Sequence, residues 1–118
     1  IIQHGDNPND ALSRAREHAE GAGLPYIHPF DAIRTVHGTG TLGMELLDDV
    51  PDMDYVLIAI GGGGLIAGMA AVIKQLRPDV RVIGVEPTGA PTMHAAVEAG
   101  RVVELGTVRA NPTFTGAR

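Results

Sequence analysis

The sequence predicts an α/β fold, a mainly parallel sheet with helices on both faces. Three observations carry this expectation. Strand-like and helix-like pieces alternate along the chain, each too short to stand alone. The run Tyr55, Val56, Leu57, Ile58, Ala59, Ile60 is apolar without interruption, as in a buried strand. The helix-like pieces between strands span about three turns, the length of a right-handed crossover joining parallel strands.

In chain order, Ile1, Ile2 and Gln3 read as the end of a strand. Asn7 then offers an N-cap and Pro8 a first helical position. Ala11, Leu12, Ala15 and Ala19 recur at helical spacing until Gly21 and Gly23 stop the helix. Leu24, Pro25, Tyr26 and Ile27 read as a short strand opening into the loop His28, Pro29, Phe30, Asp31. A second helix is expected over 40–47, with Leu42, Met44, Leu46 and Leu47 as its apolar face, followed after Pro51 by a strand over 54–60. Leu65, Met69, Val72, Ile73 and Leu76 form the stripe of the next helix, in which Ala67, Gly68, Ala70 and Ala71 permit close approach to a sheet. Pro78 ends that helix. A strand over 80–85, a short helix over 91–98 and a final strand over 102–105 complete the pattern, with the segments around Ile1, Tyr26, 54–60 and 80–85 expected in one sheet.

The densest signal is Gly61, Gly62, Gly63 and Gly64, set between the apolar strand and the helix beginning at Leu65. Consecutive glycines lose much backbone entropy on ordering, so such a run is ordered where side chains would obstruct an approach to the backbone. A glycine turn from strand into helix aims several N–H groups at one spot, and the helix N-terminus adds partial positive charge there. Anion binding, a phosphate above all, fits this better than a plain tight turn or a linker. In open sheets of this kind ligands sit at the carboxyl ends of the strands, where this loop falls.

Composition narrows the function classes. The 118 residues, 44% hydrophobic, bury one modest core, and the start at Ile1 and the polar stretch before Arg118 lead us to expect a fragment of a larger domain. A net charge of -5 and the lack of a basic cluster argue against nucleic acid or an anionic membrane as partner, and no apolar run reaches transmembrane length. With no cysteine there are no disulfides or thiolate metal sites, which fits a cytoplasmic enzyme.

Gly62, Gly64 and Ala67 also satisfy the dinucleotide pattern G-x-G-x-x-G/A, with Glu86 about twenty residues later where a ribose-binding acid would lie. Against an NAD-binding module stands the position of the pattern, since several elements of the same sheet precede it. The histidines His4, His18, His28, His37 and His94 show no metal-ligand spacing, and Ser13 lies on an amphipathic helix with no catalytic set.

The ordered set His28, Pro29, Phe30, Asp31, then Gly38, Thr39, Gly40, Thr41 with Glu45, then Gly61 to Gly64 with Leu65, Ile66, Ala67, Gly68, then Ile83, Gly84, Val85, Glu86, Pro87 resembles the threonine dehydratase and serine racemase group. Gln3, His4 and Gly5 with Asp10 and Ala11 add to the likeness, which covers about residues 1 to 106. The group comprises pyridoxal-phosphate enzymes of fold type II, the tryptophan-synthase-β type. The resemblance implies that residues 1–118 form part of a cofactor-binding catalytic domain, without the upstream Schiff-base lysine segment and the C-terminal part. It implies that Gly61, Gly62, Gly63, Gly64 and the N–H of Leu65 hold the phosphate of pyridoxal 5'-phosphate. The intact enzyme would be a threonine or serine ammonia-lyase giving a 2-oxo acid and ammonia, or a racemase of the same group, acting on a small amino acid and assembling as a homo-oligomer. No catalytic residue falls within the chain. Its single lysine, Lys74, stands ten residues beyond Gly64, about 15 Å along a helix, and reads as a solvated residue favouring the helix C-terminus.

In relatives with a divalent cation site, the resemblance implies ligands at Glu86, the Ala90 carbonyl and position 92, for Mg²⁺ or Ca²⁺. Thr92 puts a hydroxyl where a carboxylate would serve a hard cation. Glu86 thus has three readings: metal ligand, hydrogen-bonded structural carboxylate, or ribose binder. Thr39, where a glutamine is common, and the tail over 108–118, which lacks the Thr-Ile-Ala-Asp-Gly-like wording, depart from the group.

Overall fold

The computed structural model describes residues 1–105 and 114–117, ordered as α1 (Pro8–Ala22), α2 (Ile33–Asp49), β1 (Tyr55–Ala59), α3 (Gly64–Leu76), β2 (Arg81–Pro87), α4 (Thr92–Ala99) and β3 (Phe114–Ala117). α1 starts where the sequence signals placed it. The Asn7 carboxamide oxygen accepts from the N–H groups of Asn9 at 2.9 Å and Asp10 at 3.1 Å, and Gly23, at φ 63°, closes the helix in the left-handed region.

The sheet is built on a parallel pair. β1 and β2 run in register Val56↔Val82 and Ile58↔Gly84, and the ladder continues past β1 through Ile60 N–H to the Val85 carbonyl at 2.8 Å. β3 was not anticipated. It adds to β2 antiparallel, with Glu86 opposite Thr115, so the described sheet has one parallel and one antiparallel pairing. The tail reading over 108–118 otherwise falls outside the described residues. Three expected strands are not strands: residues 1–3, 24–27 and 102–105 have no ladder. An extended segment becomes a strand only when a neighbour accepts and donates its backbone hydrogen bonds, and none lies beside these among the described residues.

One face of the pair holds the core. Val56 and Ile58 pack with Met53, Val80, and Met69 and Ile73 of α3, with Leu46, Leu47, Ile66 and Val82 around them. The other face presents Tyr55 and Leu57, 53% and 67% exposed. On α2, Leu46 and Leu47 reach the core while Leu42 and Met44 of the expected apolar face stay exposed.

α2 begins well before the expected 40–47, running as helix through Gly38, Thr39 and Gly40. Glycine costs a helix about 1 kcal/mol relative to alanine, so isolated propensity favours a break there. Tertiary packing reverses that preference. A Cβ on Gly43 would lie 3.1 Å from the Met69 carbonyl oxygen, and one on Gly68 would lie 2.7 Å from the Gly40 nitrogen and against the Thr39 hydroxyl and Val36 carbonyl. The small residues of α3 therefore admit α2, whereas the sequence suggested the sheet.

The turn from α3 into β2 is held by its cations. Lys74 Nζ donates to the Pro78 carbonyl at 3.1 Å and the Val80 carbonyl at 2.8 Å, so it clamps the turn instead of extending freely into solvent. Arg77 donates to the Pro51 carbonyl and forms a two-pronged pair with Asp79, at 3.1 and 2.8 Å. The hydrogen bond from Arg77 holds the Asp79 carboxyl below its ordinary 3.8. A depressed carboxylate stabilises the fold above its unfolded-state pKa, and this is lost as pH falls through the folded one. Asp79→Asn should therefore lower the melting temperature slightly at neutral pH, with the two proteins converging in acid. Because the pair is exposed, salt should shrink the difference. Melting curves at neutral and acid pH check this.

Candidate functional site

β1 ends in the glycine run, and α3 starts inside it. Ile60 is the last residue of the ladder, residues 61–63 bend with no hydrogen bond donated by their N–H groups among the described residues, and Gly63, at φ 88°, is the N-cap of α3. Its carbonyl accepts from Ala67 N–H at 3.0 Å, closing the first helical turn. The N–H groups of Gly61, Gly62, Gly63, Gly64 and Leu65 form no hydrogen bond among the described residues, and from Gly63 onward the geometry of a helix start leaves them without an intrahelical partner. Unused donors beside the positive end of a 13-residue helix suit a compact oxyanion such as a phosphate.

The four glycines differ in what surrounds them. Beside Gly61 a Cβ would meet nothing within 4 Å. Gly63 needs its positive φ, and a Cβ there would approach Met93 Cε at 2.9 Å. At Gly62 the Cβ position is filled by the ring of Phe30, and at Gly64 it would lie 2.7 Å from Phe30 Cα. Phe30 and Met93 thus flank the loop, one from the segment before α2 and one from the start of α4.

Phe30 is held from behind. The rings of Tyr26, His28 and Phe30 meet one another in turn ahead of α2. His28 meets Phe30 edge-on at 4.5 Å between ring centroids and Tyr26 edge-on at 6.0 Å, and Arg16 of α1 covers the Tyr26 ring at 5.5 Å. The His28 imidazole Nδ1 accepts from the N–H groups of Asp31 at 2.8 Å and Phe30 at 3.3 Å, and the Thr35 hydroxyl donates to the His28 carbonyl at 2.6 Å. Thr39 touches the loop from α2: its hydroxyl lies 2.9 Å from the Gly64 carbonyl. Sequence reading marked Phe30 and Thr39 by resemblance alone and gave neither a role.

Glu86 is 1% exposed. Its Oε1 accepts from Met93 N–H at 2.8 Å and its Oε2 from His94 N–H at 2.9 Å, so the carboxylate caps the N-terminus of α4 and sets Met93 against Gly63. This is the structural-carboxylate reading. Each oxygen accepts from a backbone donor and the group is removed from solvent, which favours the structural reading over a ribose binder. The Ala90 carbonyl accepts from Thr92 N–H at 2.9 Å and lies 3.3 Å from the Thr92 hydroxyl. Among the described residues no group of three or more His, Cys, Asp or Glu side chains is placed to hold a metal ion.

Two surface hollows lie elsewhere. The larger, about 360 Å³, is lined by Tyr55, Lys74, Arg81, Val82 and Ile83 at the starts of β1 and β2. That is the wrong end of a parallel pair for a ligand site of this fold class. The smaller, about 260 Å³, is lined by Ile2, His4, Ala11, Arg14, Ala15 and His18. Among the described residues no helix is long and apolar enough to cross a membrane.

A family model described as pyridoxal-phosphate dependent enzyme matches residues 1–117. A biosynthetic L-threonine dehydratase of Halalkalibacterium halodurans is 43% identical over 106 residues, covering 89% of this chain and 26% of that protein. Among solved structures, the processed form of threonine deaminase isoform 2 from Solanum lycopersicum superposes with a TM-score of 0.84 at 40% identity, over 92% of this chain and 32% of that one. Maize serine racemase gives a TM-score of 0.84 at 32% identity, over 92% and 34%. The chain spans about a quarter to a third of the length of these relatives. It belongs to the family of pyridoxal-phosphate dependent enzymes.

Proposed function

We propose that residues 61–65 hold the phosphate of pyridoxal phosphate in an ammonia-lyase acting on threonine or serine. The observation that carries this is the set of unused N–H groups from Gly61 to Leu65 at the start of α3, in a chain of this family. A doubly charged phosphate there would accept several charge-assisted hydrogen bonds, each worth about 1.5 to 3 kcal/mol, and the helix end adds to them. When bound, pyridoxal phosphate supplies the electron sink that eases loss of the α-proton and β-hydroxyl of the amino acid, leaving a 2-oxo acid and ammonia after hydrolysis. This segment's share is positioning. Gly61 to Gly64 and Leu65 fix the phosphate end, so that the reactive end of the cofactor is presented at one place to groups outside residues 1–118. Lys74, at the far end of α3 with its ammonium bound to two carbonyls, takes no part.

Names of relatives favour dehydration over racemisation: threonine dehydratases and ammonia-lyases recur at about 40% identity, and maize serine racemase stands at 32%. We propose no cation at Glu86 and Ala90, because among the described residues no cluster of acidic or His side chains gathers there and the Glu86 carboxylate is turned to the N–H groups of α4. We place the enzyme in the cytoplasm, as a homo-oligomer. The test is made on the full-length protein. Titration should give the visible absorbance of bound pyridoxal phosphate, and L-threonine or L-serine should yield 2-oxo acid and ammonia in equal amounts. Formation of D-serine without ammonia would move the reading to a racemase, and binding of NAD in place of pyridoxal phosphate would end it.

A further inference from the structure

The geometry points to Phe30 as the residue that positions the phosphate loop, and to Phe30, not the ligand, as the reason that Gly62 carries no side chain. This rests on the proposed role of residues 61–65 in cofactor binding. A glycine facing a ligand should have open space, or ligand, in its Cβ direction. At Gly62 that direction is occupied by Cγ, Cδ1 and Cδ2 of the Phe30 ring, and at Gly64 by the Phe30 backbone and Cβ. The loop therefore lies on Phe30 as on a floor, with Gly61 the member whose Cβ direction is open.

The floor is fixed independently of the loop. The ring is held edge-on by His28, and the peptides on either side of Phe30 are pinned by their N–H groups donating to His28 Nδ1. Thr35, in the first turn of α2, holds the His28 carbonyl. An aromatic ring offers a flat, stiff surface with few rotamers, which suits it to setting the height of a backbone that has no side chains of its own. Phe30 is a positioning residue: it acts on the cofactor only through where it puts the N–H groups of the loop.

The test is a double-mutant cycle in the full-length protein, read by pyridoxal phosphate titration and by the melting temperature of the cofactor-free protein. Gly62→Ala in the native background should weaken pyridoxal phosphate binding at least tenfold and lower the melting temperature by several degrees, because the new methyl meets the ring. In a Phe30→Ala background the same change should alter binding less than threefold and leave the melting temperature nearly unchanged, the methyl entering the space the ring left. Should Phe30→Ala fail to fold, Gly61→Ala in the native background keeps the inference testable: its Cβ direction is open, so it should leave the melting temperature unchanged where Gly62→Ala lowers it, and equal losses at the two positions would overturn the inference. If Gly62→Ala costs as much without the ring as with it, the glycine is demanded by the ligand and the inference is overturned. The melting temperatures carry the comparison even if the native protein binds no pyridoxal phosphate, an outcome that would count against the proposed function alone.

Discussion

Gly68→Ala should be the most damaging single methyl in the chain. Its Cβ would be placed 2.7 Å from the Gly40 nitrogen, against the Val36 carbonyl and the Thr39 hydroxyl, and two of these three are backbone atoms of α2 that cannot rotate away. The helices must part. We expect a loss of about 3 kcal/mol, the upper end of overpacking costs, because separation also disturbs Met69 and Ile73 in the core. Denaturant midpoints of the full-length protein, with Gly21→Ala as comparison, check this. Gly21 lies within α1 with nothing within 4 Å of a Cβ, so alanine there should be neutral or stabilising by about 0.5 to 1 kcal/mol. Equal midpoints for the two variants would mean that α2 and α3 yield more easily than their backbone contact implies.

Glu86→Gln should follow in size. The amide keeps one acceptor for Met93 or His94 but turns an NH₂ toward the other N–H, donor facing donor in a site only 1% exposed. Losing one charge-assisted bond and leaving a buried N–H unpaired should cost about 2 to 3 kcal/mol. Amide exchange at Met93 and His94 should quicken, and pyridoxal phosphate affinity should fall with it, since Met93 stands against Gly63. Mg²⁺, Ca²⁺ and EDTA should leave the difference between the two proteins unchanged. A cation-dependent rise in melting temperature that Glu86→Gln removes would restore the metal-ligand reading.

What the sequence made legible was whatever is encoded locally. The apolar run at 55–60 and its successor at 80–85 became the parallel pair, the glycine run marked the strand-to-helix junction, and Asn7, Pro8 and Gly23 bounded α1. The failures have one physical origin, which is that the missing information lay in a partner. Residues 1–3 and 24–27 have strand composition, but a strand is a relation between two segments. A glycine at position 40 inside a helix is explained only once α3 is seen to need the space beside it. Tyr26 reads as part of a strand opening into a loop at His28, yet the two rings form edge-on contacts leading to Phe30. The role of Phe30 was hidden because nothing near residue 30 announces residue 62. Glu86 was placed correctly at a strand end, but only the hydrogen bonds to α4 favour the structural one of its three readings.

The close contact of α2 and α3 at Gly40, Gly43 and Gly68 bears on how the loop keeps its shape. Phe30 enters α2 and the glycine run enters α3, so both walls of that side of the site hang from one helix pair joined nearly backbone to backbone. Long side chains between helices act as springs, each rotamer change allowing a small slide. Here there is almost nothing to compress. Displacement of the sheet would carry ring and loop together as one piece, and their spacing would survive movements that alter everything around them.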